Sequence, residues 1–176
     1  MLINAKTVAF GGLMLALTEV CIALGSVIET NTLFLLAAAS YLVGIVIRET
    51  NLRIGSGFWL AGVLLGVLIA PNKFYVFSYA AMGLYILLIE IAWNRIGKMQ
   101  EEAPRMKVFW CVKFLIFNLI YITTLFVGKE LLFVGDISWK AIILFLIAGQ
   151  IALIIYDKAY EYVQRQIWSK VRGRLM

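Results

Sequence analysis

Six long apolar runs, separated by short polar breaks, constrain this chain more than any other feature. The runs cover about 5–28, 32–48, 54–70, 74–94, 107–127 and 138–157. A helix needs about 20 apolar residues to cross the roughly 30 Å of hydrocarbon in a bilayer, and it pairs its own backbone groups internally. The chain is 63% hydrophobic and 15% charged, whereas soluble domains are about 45–50% apolar and about 25% charged. We therefore predict an all-α integral membrane protein, a bundle of six transmembrane helices that forms a single transmembrane domain over 1–176.

The first run and the two cysteines exclude some other classes. The run at about 5–28 is too long for the apolar core of a signal peptide, so we expect it to be kept as the first span. Cys21 and Cys111 lie in apolar runs without a CxxC pair, and the chain has no histidine. We therefore expect no metal or redox site and interpret both cysteines as small buried hydrophobic residues.

The basic residues predict the orientation, because cytoplasmic flanks of membrane spans carry the positive excess. With both termini inside, thirteen lysines and arginines fall on the inner side, whereas only Lys73, Lys129 and Lys140 fall outside. We predict that both termini are cytoplasmic. The net charge of +6 is then a signal of topology, and we expect no nucleic-acid partner. The tail 158–176 combines aromatic and basic residues, which is typical of an amphipathic helix along the anionic inner leaflet.

Glu19 is a carboxylate deep inside the first run. At 1.5 Å per residue it lies about 20 Å from Lys6 along a helix, in the predicted outer half of the membrane. Ionisable groups at such depth cost at least a few kcal/mol and nearly always face the bundle interior or a wet cavity. Other polar residues fall at the same level or in the outer loops, so we predict a solute pocket that opens to the outside. Its predicted lining comprises Glu19, Glu29, Asn31, Tyr79, Asn118 and Gln150.

The polar residues also have a structural interpretation. A protonated, hydrogen-bonded Glu19 would lock the first span to its neighbours. Asn118 and Gln150 are typical of interhelical amide bonds, which contribute about 0.6 kcal/mol each and are common in membrane bundles. Glu90 lies close to Arg95 at the inner end of the fourth span, where a flank ion pair is the simpler explanation.

Small residues recur at intervals of three or four along the first span. Ala5, Ala9, Gly12 and Ala16 form this stripe, and a similar pattern runs through 57–70 in the third span. Such spacing lets helix backbones approach closely, either inside the fold or against another membrane protein. We predict that the stripe of the first span contacts a partner helix.

Sequence motifs of catalysis are missing. The chain has no histidine, no GxSxG elbow, no HExxH and no glycine-rich phosphate loop followed by GK[ST]. These are the motifs that mark hydrolases, metalloproteases and nucleotide-binding proteins. We therefore expect no enzymatic activity and no cofactor. Uphill transport would need energy from a partner or from an ion gradient.

Together, six short spans in 176 residues, both ends inside, a small-residue first helix and a polar outer pocket resemble the substrate-binding S components of energy-coupling-factor transporters. The resemblance implies a bacterial plasma-membrane subunit that captures a vitamin-like or other small nutrient from outside. It implies that Ala5, Ala9, Gly12 and Ala16 contact a transmembrane T component that works with ATP-binding-cassette ATPases. GSVIETNTLF at 25–34 then occupies the position of a lid, although it is shorter than the usual gating loop. No particular vitamin is implied.

Two other functions stay open. A non-transport membrane scaffold or assembly protein would bind other proteins through the small-residue stripe and the basic tail, while its polar residues only hold helices together. A secondary transporter that acts alone is less favoured, because the chain has no inverted half-repeat and only one deep carboxylate.

Overall fold

A computed structural model describes residues 5–98, 102–132 and 139–175, and the protein consists there of helices joined by short turns. No β-strand occurs in these ranges. The helices are α1 (Ala5–Val27), α2 (Thr32–Glu49), α3 (Leu52–Ile69), α4 (Lys73–Ile96), α5 (Glu102–Leu132), α6 (Trp139–Tyr162) and α7 (Ser169–Leu175). A 3₁₀ turn, Glu29–Asn31, joins α1 to α2, and a π-helical segment, Val163–Trp168, joins α6 to α7.

Six helical stretches in the described ranges are long and apolar enough to cross a membrane. This confirms the all-α class and the six candidate spans of a multi-pass membrane protein. The cytoplasmic placement of the termini stays a prediction. The helices differ from the apolar runs mainly at their ends: α5 begins at Glu102 and ends at Leu132, whereas the fifth run covers 107–127. Pro104 therefore lies in the first turn of α5 and not in a break; a missing amide is tolerated there because first-turn amides have no intrahelical acceptor.

The chain divides into two compact units, Met1–Lys113 and Phe114–Met176, and each is described by itself. The expectation of a single transmembrane domain stays a prediction. In the first unit, α1, α2, α3 and α4 each contact the other three. Their apolar faces form a core whose most deeply buried side chains belong to all of these helices except α3. These are Ile22, Leu36, Val43, Val46, Val76, Tyr79 and Ile86.

Capping side chains make the turns before α3 and α4 short. The Asn51 side-chain oxygen accepts a hydrogen bond from the amide of Ile54 at 2.9 Å, and Asn72 caps α4 in a similar way. Each cap satisfies an amide that has no partner within its helix. The ammonium of Lys73 donates to the carbonyl of Ala70 at 2.8 Å, where the C-terminal end of α3 favours positive charge. These side-chain hydrogen bonds hold the turns between α2 and α3 and between α3 and α4.

Two glycine–aromatic contacts interlock α3 and α4. Tyr79 lies against Gly62, where an added Cβ would stand 2.6 Å from the phenol oxygen. In the reciprocal contact, Trp59 lies against Gly83, and its indole N–H donates to the carbonyl of Ala80 at 3.2 Å. Part of the small-residue pattern in the third span therefore serves packing inside the fold.

In the second unit, Tyr121 of α5 packs against α6. Its hydroxyl donates to the carbonyl of Phe145 at 2.8 Å, and its ring lies against Gly149, where a Cβ would stand 2.4 Å from the ring. Phe117 stacks on the same ring with centroids 5.2 Å apart. A glycine and an aromatic residue again allow two helices to approach closely.

Candidate functional site

Glu19 and Tyr79 lie in the core of the first unit, on α1 and α4. Glu19 is 8% exposed and Tyr79 is fully buried, and the two side chains are near enough to interact electrostatically. Among the residues that the structure describes, neither carboxylate oxygen of Glu19 has a hydrogen-bond partner, and the same is true of the Tyr79 hydroxyl. The core of the first unit therefore contains three buried oxygen atoms without a protein partner among the described residues.

Other buried hydroxyls of the same unit are satisfied. Thr18, next to Glu19, donates to the carbonyl of Met14 at 3.0 Å, and Ser40 donates to the carbonyl of Ala37 at 2.7 Å. An unsatisfied buried polar group costs about 1–3 kcal/mol, and more when it is charged. Buried polar groups of native proteins are nearly always paired, so each exception calls for an explanation such as a functional role or a bound ion or water. Glu19 is such an exception, because both of its carboxylate oxygen atoms lack a partner.

Glu90 forms an ion pair, as predicted, but its partner is Arg48 of α2. Glu90 is 5% exposed, and its Oε1 accepts hydrogen bonds from the Nε and a terminal nitrogen of Arg48 at 2.9 and 2.6 Å. Arg48 lies in the last turn of α2, so this ion pair ties α2 to α4. The sequence suggested that Glu90 pairs with Arg95 of the same helix. The ion pair with Arg48 already accounts for the buried carboxylate of Glu90.

Asn118 and Gln150 are bonded to each other in the second unit. The Gln150 amide donates to the Asn118 side-chain oxygen at 2.8 Å, and the Asn118 amide donates to the carbonyl of Phe114 at 2.8 Å. The contact is the interhelical amide bond that the structural interpretation anticipated. A role of either residue in solute binding stays a prediction.

Replacing Asn118 with Ala should lower the free energy of unfolding by about 1 kcal/mol, because both hydrogen bonds are lost and the Gln150 amide loses its acceptor. Thermal unfolding in mild detergent, followed by circular dichroism, measures this change. Asn94→Ala, at an exposed position near the end of α4, is the control. Unchanged stability combined with lost solute occupancy would assign Asn118 to the pocket instead.

The predicted lid region is a short, fastened turn. The Thr32 hydroxyl donates to the carbonyl of Gly25 at 2.8 Å, which holds the start of α2 to the end of α1. Asn31 is exposed. The backbone of Glu29 belongs to the 3₁₀ turn, while its side chain lies outside the described part of the structure. The pocket role of Glu29 and Asn31 stays a prediction.

The small-residue stripe of α1 lies on the surface of the first unit. Ala5, Ala9, Gly12 and Ala16 are all exposed. Beside the stripe, an almost wholly apolar groove of about 300 Å³ runs between α1 and α3. Its lining comprises Thr7, Val8, Gly11, Gly12, Leu15, Val46, Ile54, Gly57, Phe58 and Ala61. This surface can accept an apolar helix, because the small residues on both walls allow that helix to approach the backbones of α1 and α3 closely.

Sequence reasoning missed Gly62, which holds Tyr79, and Arg48, which pairs with Glu90. The spacing of small residues in the third span was a signal for Gly62, but it did not say which glycines face inward. Arg48 carried no signal beyond its place at the inner end of a span.

Comparison with family models, with curated proteins and with solved structures finds no match to this chain. Functional interpretation therefore depends on the geometry of the site itself.

Proposed function

We propose that this chain is a membrane-embedded substrate-binding subunit that captures a vitamin-like or other small nutrient from the extracellular side. The observation that carries the proposal is the group of unpartnered buried oxygen atoms of Glu19 and Tyr79. Small-molecule sites are mostly apolar, with a few polar groups that fix the ligand's orientation, and in helical bundles they lie between helices. Apolar side chains of the same core, such as Ile22 and Val76 beside Gly66, fit this composition.

The orientation supports capture from outside. With both termini cytoplasmic, Glu19 lies about 20 Å along α1 from Lys6 and therefore in the outer half of the bilayer. The excess of basic residues on the opposite side is typical of the cytoplasmic face of a bacterial plasma membrane. In this arrangement the lipid bilayer surrounds the helices, and no nucleic acid takes part.

Energy for uptake comes from partner subunits in this proposal. The chain is not an enzyme and carries no phosphate-binding loop, so ATP-binding-cassette ATPases and a T component would drive translocation. The exposed stripe Ala5, Ala9, Gly12 and Ala16 and the adjacent groove offer a surface for the T component's helices. Close approach of helix backbones is the interaction that such a surface favours in a membrane.

Affinity purification at the native expression level tests the proposal. The chain should recover ATP-binding-cassette ATPases and a T component, and native mass spectrometry of the gently purified protein should detect a bound small molecule. Recovery of neither would overturn the proposal.

Bulky substitutions in the stripe should prevent recovery of the partner. Ala9→Leu and Gly12→Leu place branched side chains on an exposed surface, so the fold should keep its thermal stability while co-purified T component falls about tenfold or more. For Gly12, no atom lies within 4 Å of the position of an added Cβ. Val20→Leu, exposed in the outer half of α1, is the control. Undiminished recovery with both variants would remove the stripe from the partner contact.

A membrane scaffold or assembly protein is the second candidate. The exposed stripe favours it as much as it favours a transport subunit, since either function needs a helix contact. The two differ in the purification, because a scaffold should recover some other membrane complex and no small molecule. In that case the oxygen atoms of Glu19 and Tyr79 would only be part of the packing.

A further inference from the structure

The unpartnered oxygen atoms of Glu19 and Tyr79 indicate which kind of ligand group could bind them. Each carboxylate oxygen of Glu19 and the hydroxyl of Tyr79 exposes less than 1 Å² and has no partner among the described residues. An ionised carboxylate only accepts hydrogen bonds, whereas a phenol both accepts and donates. A group that completes this site must therefore bring donors.

Two basic side chains near the ends of the neighbouring helices, Arg48 and Lys73, have other acceptors. Arg48 pairs with Glu90 at the inner end of α2, and Lys73 donates to the carbonyl of Ala70 at the end of α3. A neutral donor would not compensate the charge of an ionised Glu19, whereas a bound cation would favour the ionised form over the neutral acid. An anion would be repelled. The remaining class is a cation that carries N–H or coordinates oxygen.

Coordination number separates the possible cations. Calcium needs about six to eight oxygen ligands, and magnesium needs near-octahedral geometry. Glu19 and Tyr79 supply three oxygen atoms, and no group of three or more His, Cys, Asp or Glu suited to a metal occurs among the described residues. An alkylammonium has three N–H donors, which match two carboxylate oxygens and one phenol oxygen. The count of donors therefore equals the count of acceptors.

Close packing limits the size of the cationic head. An added Cβ on Gly62 would stand 2.6 Å from the phenol oxygen, and one on Gly66 would stand 3.2 Å from Val76. α3 therefore packs directly against the Tyr79 side chain and leaves no free space on that side of it. A compact tetrahedral ammonium needs less additional space than a broad planar guanidinium.

We propose that Glu19 and Tyr79 recognise a protonated primary amine on the captured solute. The proposal rests on the function proposed above and adds the chemical class of the solute. Glu19 provides the charge and two acceptors, and Tyr79 provides the third acceptor and is held in place by Gly62.

Binding of simple probes to the purified full chain in lipid nanodiscs tests this assignment. The probes are butylammonium chloride, its neutral analogue 1-butanol, tetramethylammonium chloride, which has the charge but no N–H, and sodium chloride. Their dissociation constants follow from the concentration dependence of the thermal unfolding temperature. Butylammonium should raise the unfolding temperature above that of a sample at the same ionic strength without the probe. The other three probes should not raise it.

Two variants and two matched controls locate the effect. Glu19→Gln should weaken butylammonium binding about tenfold or more, and Tyr79→Phe about threefold, because a bond to a charged acceptor is stronger than one to a neutral acceptor. Glu161→Gln and Tyr162→Phe make the same chemical changes outside the site and should leave binding unchanged. Both site variants preserve side-chain volume, and the unfolding temperature without probe checks that they fold.

The remaining outcomes overturn the assignment. No response to butylammonium, an equal response to tetramethylammonium or sodium, or an undiminished response of Glu19→Gln would each exclude an ammonium site at Glu19. The proposed function fails separately. A solute without an amine, recovered together with the ATPases, would remove the ammonium assignment and leave nutrient capture intact, whereas recovery of neither solute nor ATPases would remove both.

Discussion

Gly55→Ala is expected to destabilise the first unit by about 3 kcal/mol relative to Gly57→Ala on the same helix. A Cβ at Gly55 would stand 2.1 Å from Cγ1 of Ile47 and 3.2 Å from its Cα. Overpacking of this kind costs about 1–3 kcal/mol and occasionally more. The cost should lie at the upper end here, because the backbone of α2 cannot rotate away as a side-chain end can.

Gly57→Ala is the matched control for Gly55→Ala. No atom lies within 4 Å of a Cβ built there, and both substitutions gain the same helix propensity, which is at most about 1 kcal/mol. The difference between the two variants therefore measures the close approach of α2 and α3. Thermal or denaturant unfolding in one detergent provides the measurement. Equal stability of the two variants would show that α2 and α3 do not approach as closely as Gly55 indicates.

Arg48→Met should lower the free energy of unfolding by about 3 kcal/mol. The carboxylate of Glu90 is 5% exposed and receives two hydrogen bonds from Arg48. Removing one member of a buried ion pair costs about 3–5 kcal/mol, because the other charge is left uncompensated. The lower end applies here, since the Arg48 side chain is 42% exposed. Arg53→Met, at an exposed position in the first turn of α3, should have little effect.

A double variant separates the ion pair from other effects of the substitution. Arg48→Met combined with Glu90→Met replaces both charges with apolar side chains of similar length, which is often neutral or even stabilising in buried pairs. Most of the lost stability should therefore return, and the double-mutant cycle should give a large coupling energy. Additive losses from the two substitutions would contradict an ion pair that joins α2 to α4.

These structural effects are separable from solute recognition. Gly55, Arg48 and Glu90 lie in the half of α2, α3 and α4 that is predicted to face the cytoplasm, whereas Glu19 lies in the predicted outer half. Substitutions at the inner end should change stability and leave the preference among the probes unchanged. Glu19→Gln should instead remove the preference for butylammonium, because it removes the charge and keeps the side-chain volume.

The six helices could be predicted from sequence because a membrane helix satisfies its own backbone. Each needs only a sufficiently long apolar run, so its existence is a local property, and α1 at Ala5–Val27 matches the run at about 5–28 closely. The ends were less predictable. Helical hydrogen bonding continues beyond the apolar residues, as in α5, which extends from Glu102 to Leu132.

The sequence by itself determined that the chain is all-α, that it has six candidate spans, and that a carboxylate lies deep in the first of them. Only the tertiary structure decided which polar groups are satisfied. Asn118 is hydrogen-bonded to Gln150, which lies 32 residues away in the chain, and Glu90 pairs with Arg48, which lies 42 residues away. The Glu19 carboxylate has no protein partner in the described part of the fold. The physical reason is that side-chain partners across helices depend on how the helices pack, and hydropathy carries no information about that packing.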